Sequence, residues 1–185
     1  QEPVNPLGLA WSHPLHHWLG RFVVSLDLFQ PCFAITLISS FAAAVAVANT
    51  FGCVYALTRR WPAAILAAAS LALAHTFWQM ATLTETYTLA AALLSAECWC
   101  VIAYARTRRP VYLCVAFFLN GLGISNHLLA SLTTPVLAVI ALHAVRARAM
   151  RVRSLAAGAA AWLIGAAPYG VMVLDDSVFP IGALP

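Results

Sequence analysis

The chain has 185 residues, of which 63% are apolar and only 9% charged, and its mean hydropathy is +0.86. A soluble domain carries roughly 25% charged residues, so this chain cannot cover its own surface in water. The formal net charge is +4 and all ten basic residues are arginine, but these arginines punctuate apolar runs and form no basic face interleaved with aromatics. That pattern excludes nucleic acid as a partner and predicts a polytopic membrane protein whose arginines meet anionic lipid headgroups.

In chain order, the first apolar stretch covers about 15–29 and holds His16, His17, Arg21 and Asp27. It is too short and polar to cross a bilayer and predicts an interfacial or re-entrant helix. His13 shares a helical face with His16 or His17, but no third ligand follows at a convincing spacing. Interfacial histidines are therefore preferred to a metal site, no metal or other cofactor is assigned, and the need for a divalent ion stays open.

Six spans follow, at about 32–57, 62–80, 86–105, 111–125, 128–145 and 155–174. Backbone groups in lipid must bond within their own segment, which selects helices of about 20 apolar residues; the fourth span is shorter than that. Pro31, Pro62 and Pro110 fall at or beside helix starts, where a missing N–H costs little. Alanine runs at 42–48 and 156–161 allow close helix approach, or else reflect a biased genome. With no linker and no internal repeat, residues 1–185 are expected to form one all-α polytopic transmembrane helix bundle. The start at Gln1 and the end at Pro185 lead us to expect a fragment of a longer chain.

Nine arginines fall in three clusters: Arg59-Arg60, Arg106-Arg108-Arg109, and Arg146-Arg148-Arg151-Arg153. Alternating the six spans puts every cluster on one side, which the positive-inside bias makes cytoplasmic. His13, Trp78, Glu85, Tyr87, Asn126, His127 and the pair Asp175-Asp176 then share the opposite side.

Several of these residues are candidates for chemistry. Glu85 stands at the mouth of the third span, where a carboxylate is expensive to desolvate; it orients a hydroxyl, holds a metal or acts as a base, or it caps the helix that follows. Asn126-His127 lies between two apolar helices with almost no loop, where it either turns the chain or binds a phosphate or sugar oxygen. Arg21 is the one arginine outside the clusters, suited to bidentate phosphate binding or to snorkelling. Glu97 falls mid-span, which requires protonation, pairing or water. The five cysteines all lie inside apolar runs and form no CxxC, so they read as small buried hydrophobes.

Three segments in order resemble a family. His13-Pro14-Leu15 with Trp18-Leu19-Gly20-Arg21, then Phe77-Trp78 with Glu85-Thr86-Tyr87-Thr88-Leu89, then the segment from Asn120 to His127 resemble motifs of GT-C-like polytopic membrane proteins. These are a bacterial group related to the animal protein O-mannosyltransferase of IPT domains. The likeness covers about 7–144 and departs at Leu15-His16-His17, where the family has a Pro-Gly-x-Pro turn. The resemblance implies a glycosyltransferase that takes a sugar, mannose in the related enzyme, from a polyprenyl-phosphate donor to an acceptor hydroxyl of a protein or glycan on the extracytoplasmic face of a bacterial inner membrane. It implies a base aspartate in an outer loop expected upstream of Gln1. Glu85 is then the catalytic-site carboxylate of this chain. Tyr87, with His13 and Trp78, binds the sugar or acceptor. Asn126, His127 and Arg21 bind the donor phosphate. A transporter or flippase-like protein, and a non-catalytic membrane subunit, are the rival readings.

Overall fold

The computed structural model describes residues 13–174. Asp175-Asp176 and the segment before His13 lie outside them. Helices α1 (Pro14–Ser25), α2 (Pro31–Thr58), α3 (Trp61–Leu73), α4 (His75–Thr82), α5 (Tyr87–Thr107), α6 (Pro110–Asn126), α7 (Thr134–Arg146) and α8 (Val152–Leu174) follow one another, with a 3-10 turn at Leu128–Leu132. No strand occurs among the described residues.

Four segments are long and apolar enough to cross a membrane: Pro31–Thr58, Tyr87–Thr107, Leu128–Arg146 and Val152–Met172. The expected second span is broken, because α3 and α4 meet at 60°, with Ala74 in extended conformation between them. The expected fifth span opens as a 3-10 turn before α7. The first helix stops at Ser25, and Asp27 then takes a left-handed φ of 51°.

The short fourth span has a packing explanation. In α6, Leu113, Ala116, Asn120, Ser125 and Asn126 are all within 1% of full burial, so α6 is the central helix, enclosed by α5, α8, α7 and α1. Its 17 residues span about 26 Å, and its second half, from Asn120 to Asn126, is almost entirely buried.

Glycines set a close backbone-to-backbone contact between two helices. A Cβ on Gly121 would lie 2.3 Å from the Trp162 carbonyl oxygen, and one on Gly165 would lie 2.3 Å from that of Phe118. The backbones of α6 and α8 therefore touch directly, which small residues permit and larger ones forbid. Pro168 interrupts α8 nearby. There the Ser125 hydroxyl donates to the Gly165 carbonyl (3.1 Å) and accepts from the Tyr169 N–H (3.3 Å), a pair that an unbroken helix joins directly.

One turn sequence occurs twice. Tyr-Ala-x-Thr-Arg-Arg stands at 55–60 and at 104–109. In each copy the Thr hydroxyl accepts from the N–H of the second arginine, Thr58 from Arg60 and Thr107 from Arg109. The first arginine caps the helix in the left-handed region, with φ 57° at Arg59 and 56° at Arg108. Glycine is the usual residue at such a cap.

Side-chain contacts fix the helix directions. Ser39 meets Glu85 and Asn49 meets Ser95, so α2 and α5 run parallel. Cys114 meets Ser154 and Ser125 meets Gly165, so α6 and α8 also run parallel, opposite to α5. All three arginine clusters consequently lie at one end of the bundle. His13, Glu85, Tyr87, Asn126 and His127 lie at the other.

Candidate functional site

The site forms where α1 begins, α5 begins and α6 ends. Ser39, fully buried on α2, donates to the Glu85 carbonyl (3.0 Å) and accepts from the Glu85 N–H (3.2 Å). This clamp holds the bend that leads into α5 while the Glu85 side chain stays half-buried. Next along the chain, the buried Thr86 offers its carbonyl to the Asn126 side-chain amide at 3.0 Å. The far side of Asn126 receives α1: His13 Nδ1 donates to the Asn126 backbone carbonyl at 2.5 Å. Asn126 is fully buried and its Oδ1 has no partner among the described residues.

These bonds fix two histidine tautomers. A carbonyl only accepts, so His13 donates from Nδ1, and in the neutral ring Nε2 is the lone pair. His127 Nδ1 accepts from the Leu129 N–H at 3.2 Å, so its proton sits on Nε2. The two rings stand 5.2 Å apart, and the Tyr87 ring lies 5.6 Å from His127.

Tyr87 and His127 stand at one end of a groove of about 380 Å³. The Leu93, Leu94, Leu119, Leu129 and Leu132 side chains line it, and Glu97 borders it ten residues along α5 from Tyr87, about 15 Å away by helical rise. Glu97 is paired: the Asn120 amide donates to its Oε2 at 3.1 Å. The two Nδ2 hydrogens of Asn120 are shared among Glu97, Thr133 Oγ1 (2.8 Å) and the Ala130 carbonyl (3.0 Å), while its Oδ1 accepts from Thr134 (2.7 Å) and Trp162 Nε1 (2.9 Å). One amide thus ties together α5, α6, the 3-10 turn, α7 and α8.

His16 joins the site although the sequence pattern treated it only as an interfacial residue. Burial first, and then the neighbouring His13, hold its imidazole below the usual range, against an opposing pull from Glu85. Its Nε2 is buried without a partner among the described residues. The signal for it was present, since His13 and His16 lie three apart, but the spacing pointed toward metal ligation. Among the described residues no three His, Cys, Asp or Glu side chains converge as metal ligands.

Two expected members stand apart. Trp78 is 63% exposed on α4, with no ring contact to the histidines among the described residues. Arg21 is exposed on α1, about 12 Å along the helix from His13, without an ion pair among the described residues.

Comparison with known proteins adds a family. The model of the Protein O-mannosyl-transferase TMEM260 N-terminal domain matches residues 12–150, a stretch that holds every member of the cluster. No curated protein and no solved structure matches the chain. Apolar helices of spanning length, together with this match, make it an integral membrane protein. The chain belongs to the protein O-mannosyl-transferase TMEM260 N-terminal domain family.

Proposed function

We propose that this chain is the membrane part of a GT-C-type glycosyltransferase. It transfers a sugar, mannose in the favoured reading, from a polyprenyl-phosphate donor to a hydroxyl of an acceptor protein or glycan. The observation that carries this reading is the polar cluster at one end of a leucine-lined groove, at the end of the bundle opposite nine arginines. An apolar chain in the groove would leave its phosphate beside His127 and Tyr87.

In the reaction, the acceptor oxygen attacks the sugar C1, the bond from C1 to the phosphate oxygen breaks, and the polyprenyl phosphate departs with the bonding pair. The acceptor proton passes to a base. His127 Nε2–H donates to the developing phosphate charge, and Asn126, whose amide carries the orphaned Oδ1, shapes the same wall; preorganised donors of this kind are the largest single source of catalysis in many enzymes. Glu85 orients the attacking hydroxyl or takes its proton, Tyr87 and His13 position the sugar, and Arg21 and Trp78 serve substrate that reaches beyond the cluster. No resident cofactor is assigned. The positive-inside bias sets the arginine end in the cytoplasm and the site outside it. The lysine-free, alanine-rich composition supports a bacterial inner membrane with the site facing the periplasm.

The test is sugar transfer by the full-length protein from polyprenyl-phosphate mannose to an acceptor. Glu85→Gln is expected to lower kcat by roughly a hundredfold or more while thermal stability stays unchanged. Wild-type turnover by a Glu85→Gln protein would remove Glu85 from the site, and absence of any transfer by the intact protein would overturn the enzyme reading. Because Glu97 borders the same groove, a transport role predicts instead that Glu97→Gln abolishes lipid movement in vesicles that show no transfer.

A further inference from the structure

The parallel course of α6 and α8 has an electrostatic result. Both helices start at the arginine end, and neither carries an acidic residue in its first turn. Each start carries a partial positive charge, although Pro110 has no N–H and the Tyr112 and Ser154 N–H groups bond back to the Arg109 and Arg151 carbonyls. Between the two starts lies a cavity of about 280 Å³, lined by Pro110, Arg148, Met150, Arg151, Arg153 and Ser154 among others.

The three arginines are exposed and form no ion pair among the described residues. No Asp or Glu occurs anywhere between Glu97 and Asp175. The turn that carries them is fixed: Met150, 5% exposed, is buried in the apolar core. The Ala149 and Met150 N–H groups both bond to the Ala144 carbonyl, at 2.9 and 3.1 Å. Three like charges and two helix starts are thus gathered on a rigid frame with nothing of opposite sign. By contrast, the Arg59 guanidinium at the α2–α3 turn already lies over the Tyr55 ring, 5.9 Å from its centre.

From this arrangement we infer that the turn between α7 and α8 is a binding site for a phosphate group. Guanidinium forks match phosphate oxygens in pairs, and the Ser154 hydroxyl adds a neutral donor. The phosphate is carried by an anionic lipid headgroup or comes free from solution. The site is separate from the proposed transfer centre, because it lies at the opposite end of the bundle.

The full chain in nanodiscs tests this. In discs of phosphatidylcholine with phosphatidylglycerol, Tm is expected to exceed that in phosphatidylcholine alone. The variant Arg148→Gly/Arg151→Gln/Arg153→Gln should lose that rise and bind phosphatidylglycerol roughly tenfold more weakly. Folding is protected in this variant, since Arg148 has a φ of 56°, where glycine is favoured. The charge-matched control Arg59→Gly/Arg60→Gln/Arg106→Gln, which also removes three arginines, should keep the rise. Inorganic phosphate added to phosphatidylcholine discs separates the sources: the same arginine-dependent rise assigns the site to free phosphate, and no rise assigns it to the lipid. Equal losses in both variants, or no shift with either probe, would overturn the proposal.

Discussion

His13 donates from Nδ1 to the backbone carbonyl of Asn126, 2.5 Å away and 113 positions along the chain. This bond closes the site, because it fastens the start of α1 to the end of the central helix and makes Nδ1 the donor in one of its two neighbouring histidines. His13→Ala should lower stability by about 1 kcal/mol. It should also speed amide exchange in α1 while exchange in the first half of α6 stays unchanged. Uniform exchange changes across α1 and α6 would show that α1 does not hang on this bond.

The contact between α6 and α8 gives an expected stability difference between glycines. Gly121→Ala or Gly165→Ala places a methyl group 2.3 Å from a backbone carbonyl, so a helix must shift, at a cost of about 1–3 kcal/mol. Gly170 has nothing within 4 Å of an added Cβ. There, Gly170→Ala should be neutral or stabilise by up to about 1 kcal/mol. Thermal unfolding in one detergent ranks the three variants, and equal behaviour at 121 and 170 would contradict the packing.

The fully buried Asn120 amide has five polar partners within hydrogen-bond distance. Asn120→Leu would strand Glu97, Thr134 and the Trp162 N–H in an apolar interior, with an expected loss of about 2–4 kcal/mol. Glu97→Gln keeps an acceptor for the Asn120 amide and should cost under about 1 kcal/mol. Chemical denaturation of both variants tests this; a Glu97→Gln loss as large as that of Asn120→Leu would mean that the acid, rather than the amide, holds the network.

Burial and His13 lower the His16 pKa. As pH falls through about 6.5 the unfolded chain protonates this ring, whereas the folded chain does so only at lower pH. Between those values the unfolded state holds more protons, so the stability contribution is complete above about pH 6.5 and is lost as pH falls through the window. His16→Gln should flatten the slope of Tm against pH between about 7 and 5. An unchanged slope would move the effect to other groups.

The sequence by itself determined the class of the protein and the gathering of its polar residues. Long apolar segments leave a backbone no choice but helix in lipid, and arginine clusters at alternate gaps force Glu85, Tyr87, Asn126 and His127 toward one end. It also showed the family motifs from His13 to His127. Only the tertiary structure decided how those residues meet. Helical period says which face a residue shares, but not which neighbour fills that face, so the Ser39 clamp on Glu85, the recruitment of His16 and the exposure of Trp78 on α4 were not legible. The break at Ala74 was hidden because an apolar run reads the same straight or bent. The burial of α6 was hidden because lipid and protein interior select the same apolar residues. Asn120 looked like one polar residue in a motif, and its five polar partners meet it only where four other elements pack around it.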